Sequence, residues 1–380
     1  MRLRSLLLLA ASSGLIALAL RAEPARRPRY GGTLRVEMGA AVNSLDPAVG
    51  ASSPEEVIAK DEILALLYER RNSDGTFAGV AGSGAFRISE WDPGKELKLE
   101  ANPEHRGGRA FVDSVEIQMG KTAHERLVDL EVDKADFAEI PAQEARRAGE
   151  SGIRLSESQP DELLAIVFTP GHTVAEDAHA REALSRSIDR AAIVNFILQK
   201  QGDPAGGLLP QWSSGTAFLF PTAADAASAK NLWGQITGSA KIVLGYDAND
   251  ALEQSVAERI VVNARDAGID AGAQARQSAQ ADFDARLVRL HMASPHPAVA
   301  LGRMWAALAP LAGLNAESVA EGAPPQQVFE REKAIVNSYR VVPLIWLPRV
   351  YGLSARVRDW TPPAPGEAWP FAELWLGDAQ

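Results

Sequence analysis

Alternation of apolar and polar positions predicts half-buried strands in the first third of the chain. Leu34, Val36 and Met38 alternate with polar residues, which is the period of two that a strand shows when one of its faces is buried. The same pattern recurs over 85–91, 96–100 and 115–119. Asp92-Pro93-Gly94-Lys95 lies between the first two of these and has the composition of a tight turn, so we expect a hairpin there.

Apolar positions spaced three and four residues apart predict helices further along. Val57, Ile58 and Leu64 recur near the helical period, and Pro54 suits the first turn of a helix over 54–67. Comparable faces predict helices over 122–132, 178–200, 223–233, 251–267, 298–308 and 328–340. In the longest of these, Asp189 is placed to cap a restart of the helix.

Two apolar runs, 163–168 and 341–347, predict strands that are buried on both faces. A further strand is expected over 241–246. Helices and strands are mixed without strict alternation, which favours two α/β lobes over one regularly wound sheet. A length of 380 residues agrees with about two domains.

The N-terminal segment 1–22 has the pattern of a secretory signal peptide. Arg2 and Arg4 precede an apolar run over 6–20, and small residues offer a cleavage site. The Pro- and Arg-rich residues 23–29 are expected to link this leader to the folded body. Export predicts a periplasmic protein, and an uncleaved membrane anchor is the alternative reading of the leader.

Composition removes several classes of chemistry. The chain has no cysteine, which excludes disulfides, thiol nucleophiles and lipid attachment through an N-terminal cysteine, so we do not expect a lipoprotein. A net charge of −10 argues against nucleic acid as a partner, because phosphate binding requires clustered Lys and Arg.

The motifs of common enzymes are also missing from the sequence. His124-Glu125 is not followed by a second His at metalloprotease spacing, and Gly82-Ser83-Gly84 has neither the pattern of a nucleophile elbow nor that of a dinucleotide loop. His291 and His296 would need a third ligand to hold a metal. We therefore predict no catalytic residue, no metal site and no cofactor, and a binding protein instead of an enzyme.

Several short motifs occur in a fixed order along nearly the whole mature chain. They lie at 30–36, 44–47, 82–91, 97–103, 181–193 and 267–269. Their order and spacing resemble the family 5 extracellular solute-binding proteins, which are the peptide- and nickel-type receptors of ABC importers. The resemblance implies a monomeric receptor that delivers a short peptide or similar small solute to an ABC transporter permease.

The resemblance also implies a fold, namely the two-lobed α/β periplasmic-binding-protein fold of the peptide-binding type II, with a cleft between the lobes. Lobe I would contain 30–168 and 342–380, including both termini, and lobe II would contain 169–341. The chain would cross between them near 166–168 and 342–344.

One departure from the family pattern concerns the segment before Gly82. Family members carry a further small domain between the N-terminal turn and this motif, whereas only about 51–81 lies here, which leaves room for a helix and a turn. The cleft is therefore expected to be more open. A shortened paralogue that serves as a protein-binding or sensory scaffold is the alternative function.

Three residues near the N-terminus are the first candidate ligand contacts. In the resembled family, backbone near Ala41, Val42 and Asn43 pairs with an extended peptide as an added strand. An ordinary transition from strand to turn explains the same residues equally well.

Five further candidates follow from the same resemblance. Trp212 and Phe218 lie in a loop that faces the cleft in the family, with packing in a core as the alternative. His296 stands where the family often has an acidic residue, and Arg303 and Trp305 follow it in the same substrate-facing segment. Arg303 suits a carboxylate on the ligand.

Overall fold

The computed structural model describes residues 27–50, 54–71, 77–79, 81–214, 220–236, 240–276, 283–317 and 319–378. In chain order, the strands are β1 (Thr33–Glu37), β2 (Arg70–Arg71), β3 (Phe77–Ala78), β4 (Phe86–Asp92), β5 (Glu96–Ala101), β6 (Ser114–Gln118), β7 (Phe137–Ile140), β8 (Arg154–Glu157), β9 (Glu162–Phe168), β10 (Asp203–Pro204), β11 (Ile242–Asp247), β12 (Ala271–Arg276), β13 (Ala285–His291), β14 (Val341–Leu347), β15 (Val350–Leu353), β16 (Val357–Arg358) and β17 (Trp375–Leu376).

The helices complete the described elements. In chain order, they are α1 (Pro54–Leu67), α2 (Ala123–Glu131), α3 (Ala145–Glu150), α4 (Thr173–Glu176), α5 (Ala178–Ser187), α6 (Arg190–Ala192), α7 (Gln211–Ser214), α8 (Ala226–Trp233), α9 (Ala251–Asp266), α10 (Pro297–Leu311) and α11 (Pro325–Asn337). A short 3₁₀ turn covers Ala142–Glu144, and a π-helical turn covers Ile193–Ile197.

The first lobe is built on a seven-stranded sheet. Its strand order is β4-β5-β6-β1-β7-β15-β8, and β1 runs parallel to both β6 and β7. The alternation read from the sequence holds here, because Leu34 and Val36 are fully buried. Phe137 on β7 forms the centre of an aromatic cluster, with its ring 4.8–5.4 Å from those of Tyr351, Trp360, Trp369 and Phe371. Residues from both ends of the described chain therefore build one core.

The second lobe is built on a six-stranded sheet of order β10-β14-β9-β13-β11-β12. All seven residues of β9 are buried, because helices cover both faces of this sheet. Leu164, Ile166 and Phe168 pack in the cluster that contains α5 and α9. Leu163, Ala165 and Val167 pack on the opposite face, in the cluster that contains α10 and α11. Burial on both faces explains why residues 163–168 are all apolar.

The predicted fold class, α/β with two lobes, is confirmed by these two sheets. The predicted lobe boundaries at 168 and 342 stay a prediction, but sheet pairing favours others. Both β9 and β14 hydrogen-bond within the six-stranded sheet, so the chain passes between sheets over 158–161 and again at Pro348-Arg349. The seven-stranded sheet then receives β15, which pairs with β7 and β8.

The helical segment predicted over 178–200 is divided into shorter helices that end by Ile197, and the predicted restart at Asp189 is confirmed. Helix α5 ends at Ser187, and the Asp189 side chain accepts a hydrogen bond from the N–H of Ala192 to begin α6. The chain then turns sharply, since Gln199 and Lys200 both have positive φ values.

The leader predicted at 1–22 and residues 23–26 of the linker lie outside the described residues. No helix in the described part of the chain has the length and apolar character that crossing a membrane requires.

The aromatic cluster of the first lobe gives a test of this core. Phe137→Ala removes a fully buried ring and leaves a cavity, so it should lower the free energy of unfolding by about 3–5 kcal/mol. Phe196→Ala is the control, because 80% of Phe196 is exposed, and it should change stability by less than about 1 kcal/mol. Urea unfolding measures both, and equal losses would contradict the assignment of Phe137 to the core.

Candidate ligand-binding cleft

The two segments that cross between the lobes lie side by side. The backbone N–H of Ser158 donates to the carbonyl of Arg349 at 2.9 Å, and the N–H of Arg349 donates to the Ser158 hydroxyl at the same distance. The N–H of Asp161 donates to the carbonyl of Leu347 at 3.0 Å. The crossings therefore form one hydrogen-bonded band at the base of the cleft.

The guanidinium of Arg349 joins this band to the first lobe. Its Nη2 lies 2.9 Å from Oδ2 of Asp161, on the other crossing, and its Nη1 lies 2.9 Å from Oε1 of Glu62, on α1. All three side chains are more than nine-tenths buried. Oε2 of Glu62 accepts a hydrogen bond from the N–H of Trp369 at 3.1 Å, so the C-terminal segment is tied to the same group.

Burial raises the pKa of both carboxyl groups. Loss of solvation raises the pKa of Glu62 to about 7, although Arg349 and the Trp369 N–H favour the charged form. Burial likewise raises the pKa of Asp161, again against the opposing charge of Arg349.

A cavity of about 560 Å³ lies above this band, between the two lobes. Its first-lobe wall is one face of α1. Five residues of this helix line the cavity, and their spacing places all five on the same side of the helix. These residues are Val57, Ile58, Asp61, Glu62 and Ala65. Residues 366–368 of the C-terminal segment extend the same wall.

The second-lobe wall follows the end of β13. Its lining residues are Arg289, Leu290, His291, Met292 and Ala293, joined by Ala307 from α10. Asp161 and Arg349 complete the lining where the two walls meet. The cavity is therefore mostly apolar, with charged groups concentrated at its base and edge.

Arg289 is held as firmly as Arg349. Its Nη2 donates to Oε2 of Glu162 and its Nη1 to Oδ2 of Asp250, both at 2.8 Å, and its Nε donates to the other Glu162 oxygen. Burial lowers the pKa of Arg289, but the charge and hydrogen bonds of Glu162 and Asp250 raise it well above its ordinary value. Nε2 of His291 lies 3.6 Å from Glu162.

The lobes touch at Gly366. This residue has a φ of +80°, and a Cβ added to it would collide with the carbonyl oxygen of Ala293 on the opposite wall. Only glycine fits so close an approach without displacing the backbone. The cavity is therefore enclosed on this side by direct contact between the C-terminal segment and the second lobe.

The family model of the bacterial extracellular solute-binding proteins, family 5 middle, matches residues 33–308. The chain belongs to this family. Among curated relatives it is 27% identical, over 125 residues, to the oligopeptide-binding protein AppA of Bacillus subtilis. That match spans 33% of this chain and only 23% of the relative.

Solved structures of other binding proteins share the fold. The substrate-binding protein CtaP of Listeria monocytogenes superposes with a TM-score of 0.72 at 13% identity, over 92% of this chain and 100% of that one. DppA of Helicobacter pylori, in complex with the peptide STSA, gives a TM-score of 0.70 at 12% identity, over 92% and 99%. At such low identities the likeness concerns the fold alone.

The predicted contacts at Ala41, Val42 and Asn43 lie in the first lobe, away from the lining of this cavity. The Val42 side chain is fully buried in the core, and its carbonyl accepts a hydrogen bond from the N–H of Gly94 at 2.8 Å. The N–H of Asn43 donates to Glu56 at 3.0 Å, while Ala41 is exposed. Peptide pairing along this segment stays a prediction.

The other predicted contacts are dispersed. The indole N–H of Trp212 donates to the carbonyl of Pro160 at 3.0 Å, which places this half-exposed ring beside the crossing segment. His296 is exposed before the first turn of α10, Arg303 donates to the carbonyl of Ala293 at 3.3 Å, and Trp305 is buried in the second-lobe core. Phe218 lies outside the described residues.

Sequence reasoning missed Glu62, Asp161, Arg289 and Arg349, which carry the charge of the cleft. A signal for two of them was present, because Asp161 precedes one apolar run and Arg349 follows the other. Charges that flank two fully buried strands mark the points where the chain leaves a core. His291 lines the cavity next to Glu162, and no group of three or more metal-ligating side chains occurs within the described ranges.

Removal of the Arg349 guanidinium should be costly. Arg349→Ala leaves two buried carboxylates without their cation, so the free energy of unfolding should fall by about 3–5 kcal/mol. Arg87→Ala, which breaks an exposed pair with Glu104, is the matched control and should cost less than about 1 kcal/mol. If chemical denaturation gives both variants the same stability, the band does not depend on Arg349.

The raised pKa of Glu62 predicts a pH dependence of stability. Between its ordinary value of 4.5 and about 7, the folded protein holds a proton that the unfolded chain has released. The contribution of Glu62 is therefore largest below pH 4.5 and should fall by about 3 kcal/mol as the pH rises to 7.

Glu62→Gln does not titrate, so the stability of the wild type relative to this variant should decline across that range. Thermal unfolding at several pH values measures this difference in stability between the wild type and Glu62→Gln. Glu104→Gln, which removes a surface carboxylate, is the control variant. A difference that is constant or grows with pH would contradict the raised pKa.

Proposed function

We propose that this chain is the periplasmic solute-binding receptor of an ABC importer and that it takes a short peptide or a similar small solute between its lobes. The observation that carries the proposal is the cavity of about 560 Å³ between α1 and β13, with the crossing segments at its base. This volume lies in the range of about 300–1,000 Å³ that is typical of small-molecule sites.

The arrangement of the walls supports binding coupled to movement of the lobes. A solute in the cavity contacts α1 on one lobe and β13 on the other, so it stabilises the conformation in which both walls are close. Movement about the two crossings requires changes in few backbone torsions, as in other hinge proteins. A permease would then recognise the closed form, which gives the importer a means to sense a loaded receptor.

A peptide is the favoured class of solute for two reasons. The mostly apolar walls suit side chains, and the charged groups at the base suit a polar backbone or a terminus. The relative from Bacillus subtilis is named for oligopeptide binding, and the Helicobacter pylori structure contains a peptide. The leader at 1–22 supports export, and we propose a free monomer with a binding role and no catalytic one.

Ala307 and Ala306 provide a matched test of the site. They are adjacent and exposed on α10, but only Ala307 lines the cavity. Ala307→Trp should fill part of the volume and weaken peptide binding by at least about tenfold, whereas Ala306→Trp should bind as the wild type does. Isothermal titration of the full chain with a library of di- to tetrapeptides measures both.

Both variants place one tryptophan on the same helix, so an effect on folding alone would appear in both. Equal affinity of the two variants for a peptide would move the site away from this cavity. Failure of the wild type to bind any small solute, with capture of a protein partner instead, would favour the scaffold alternative.

A further inference from the structure

The segment between Trp360 and Trp369 reaches from the first lobe to the second and back. Both tryptophan rings pack on Phe137 in the first-lobe core, with centroid distances of 4.8 and 5.4 Å. The N–H of Trp369 also donates to Glu62 on α1 at 3.1 Å. Between these two anchors the chain extends far enough for Gly366 to meet the second lobe. We call residues 361–368 the clasp.

The tip of the clasp is a tight turn with little conformational freedom. The N–H of Glu367 donates to the carbonyl of Ala364 at 2.9 Å, and Pro365 and Gly366 lie between them. Proline followed by a glycine with a φ of +80° is the composition of a type II turn. Oε2 of Glu367 accepts a hydrogen bond from the N–H of Ala364 at 3.2 Å, so two hydrogen bonds close the same turn. Three of the eight clasp residues are proline, which fixes further torsions.

The part of the second lobe that the clasp meets is also held in place. The carbonyl of Ala293, which a Cβ on Gly366 would strike, accepts a hydrogen bond from Arg303 at 3.3 Å. The preceding residue, Met292, donates its N–H to the carbonyl of Asp161 at 2.7 Å. Backbone therefore meets backbone, and no side-chain rotation can widen the gap. Gly366 and Ala293 both line the cavity, so their contact lies at its edge.

We propose that the clasp closes one end of the cavity and thereby limits the solute to short peptides. The inference rests on the proposed function, because it names the size class of solute that the same cavity takes. Each residue of an extended peptide adds about 3.3–3.6 Å of length. A peptide that grows towards the clasp must therefore separate Gly366 from Ala293.

That separation is unfavourable because neither side of the contact yields locally. The turn is closed by two hydrogen bonds and anchored at both ends in the first-lobe core, so it moves with its lobe. A long peptide then holds the lobes apart and loses contact with one of the two walls, α1 or β13. A short peptide keeps both walls. Gly366 is thus a positioning residue that determines specificity for length.

Two peptides test the length limit on the full wild-type chain: Ala-Ser-Ala and Ala-Ser-Ala-Ala-Ser-Ala. They have the same composition, and each carries one amino and one carboxyl terminus, so they differ in length alone. Isothermal titration should give the tripeptide an affinity at least about tenfold above that of the hexapeptide. This measurement needs no variant, so it does not depend on whether a substituted chain folds.

A pair of glycine variants assigns the length limit to the clasp. Gly366→Ala adds a methyl group that pushes the turn away from Ala293, so the preference for the tripeptide should fall several-fold. Gly152→Ala is the matched control in the first lobe. Its φ of +89° imposes the same kind of strain, but its Cβ would meet no heavy atom of the described residues within 4 Å. Its preference should equal that of the wild type.

A third variant loosens the clasp without adding an atom at the contact. Pro365→Gly leaves Gly366 in place and frees the torsion that proline fixes, so it should reduce the preference in the same direction as Gly366→Ala. Urea unfolding shows whether each variant is folded before its affinity is measured. A role in folding alone would change the unfolding midpoint and leave the ratio of the two affinities unchanged.

The possible results separate this inference from the proposed function. Equal affinity of the wild type for both peptides, or tighter binding of the hexapeptide, would overturn the length limit and leave a peptide receptor standing. An unchanged preference in Gly366→Ala and Pro365→Gly, or an equal change in Gly152→Ala, would overturn the role of the clasp. Binding of neither peptide, nor of any other short peptide, would overturn the proposed function and this inference together.

Discussion

The buried contact of Arg349 with Asp161 and Glu62 fixes the geometry on which the cleft depends. The Arg349 guanidinium connects the crossing at 348–349, on which it lies, with the crossing at 158–161 and with helix α1. Glu62 also accepts a hydrogen bond from the Trp369 N–H, which ties the C-terminal segment to the same contact. A buried ion pair of this kind contributes little net stability compared with apolar packing, but the loss of one partner is severe. The contact therefore serves to place segments relative to one another more than to stabilise them.

The same contact explains why α1 matters to the site. Within the described residues, α1 is the one helix between β1 and β4, in the interval where the sequence has room for little else. That helix supplies both Glu62 at the base and the apolar wall of the cavity. The short segment before Gly82 thus forms a wall of the cleft. The interval that the sequence marks as a departure from the family is where, in our proposal, the first lobe contacts a ligand.

Local patterns in the sequence were sufficient for much of the fold. The helix at 54–67 and the strand at 341–347 have the predicted bounds, because each has an unambiguous period or an uninterrupted apolar run. The strand β13 was missed, since its arginines interrupt the alternation that marks a half-buried strand. The charged residues of the cleft could not be assembled from sequence, because Glu62, Asp161 and Arg349 meet only through contacts spanning up to 287 positions.

A crystal structure of the full chain with a bound short peptide tests the central claim most directly. The peptide is expected to lie between the lobes, in contact with α1 and with the end of β13. A peptide bound along 41–43, or anywhere that leaves the cavity between α1 and β13 empty, would contradict it.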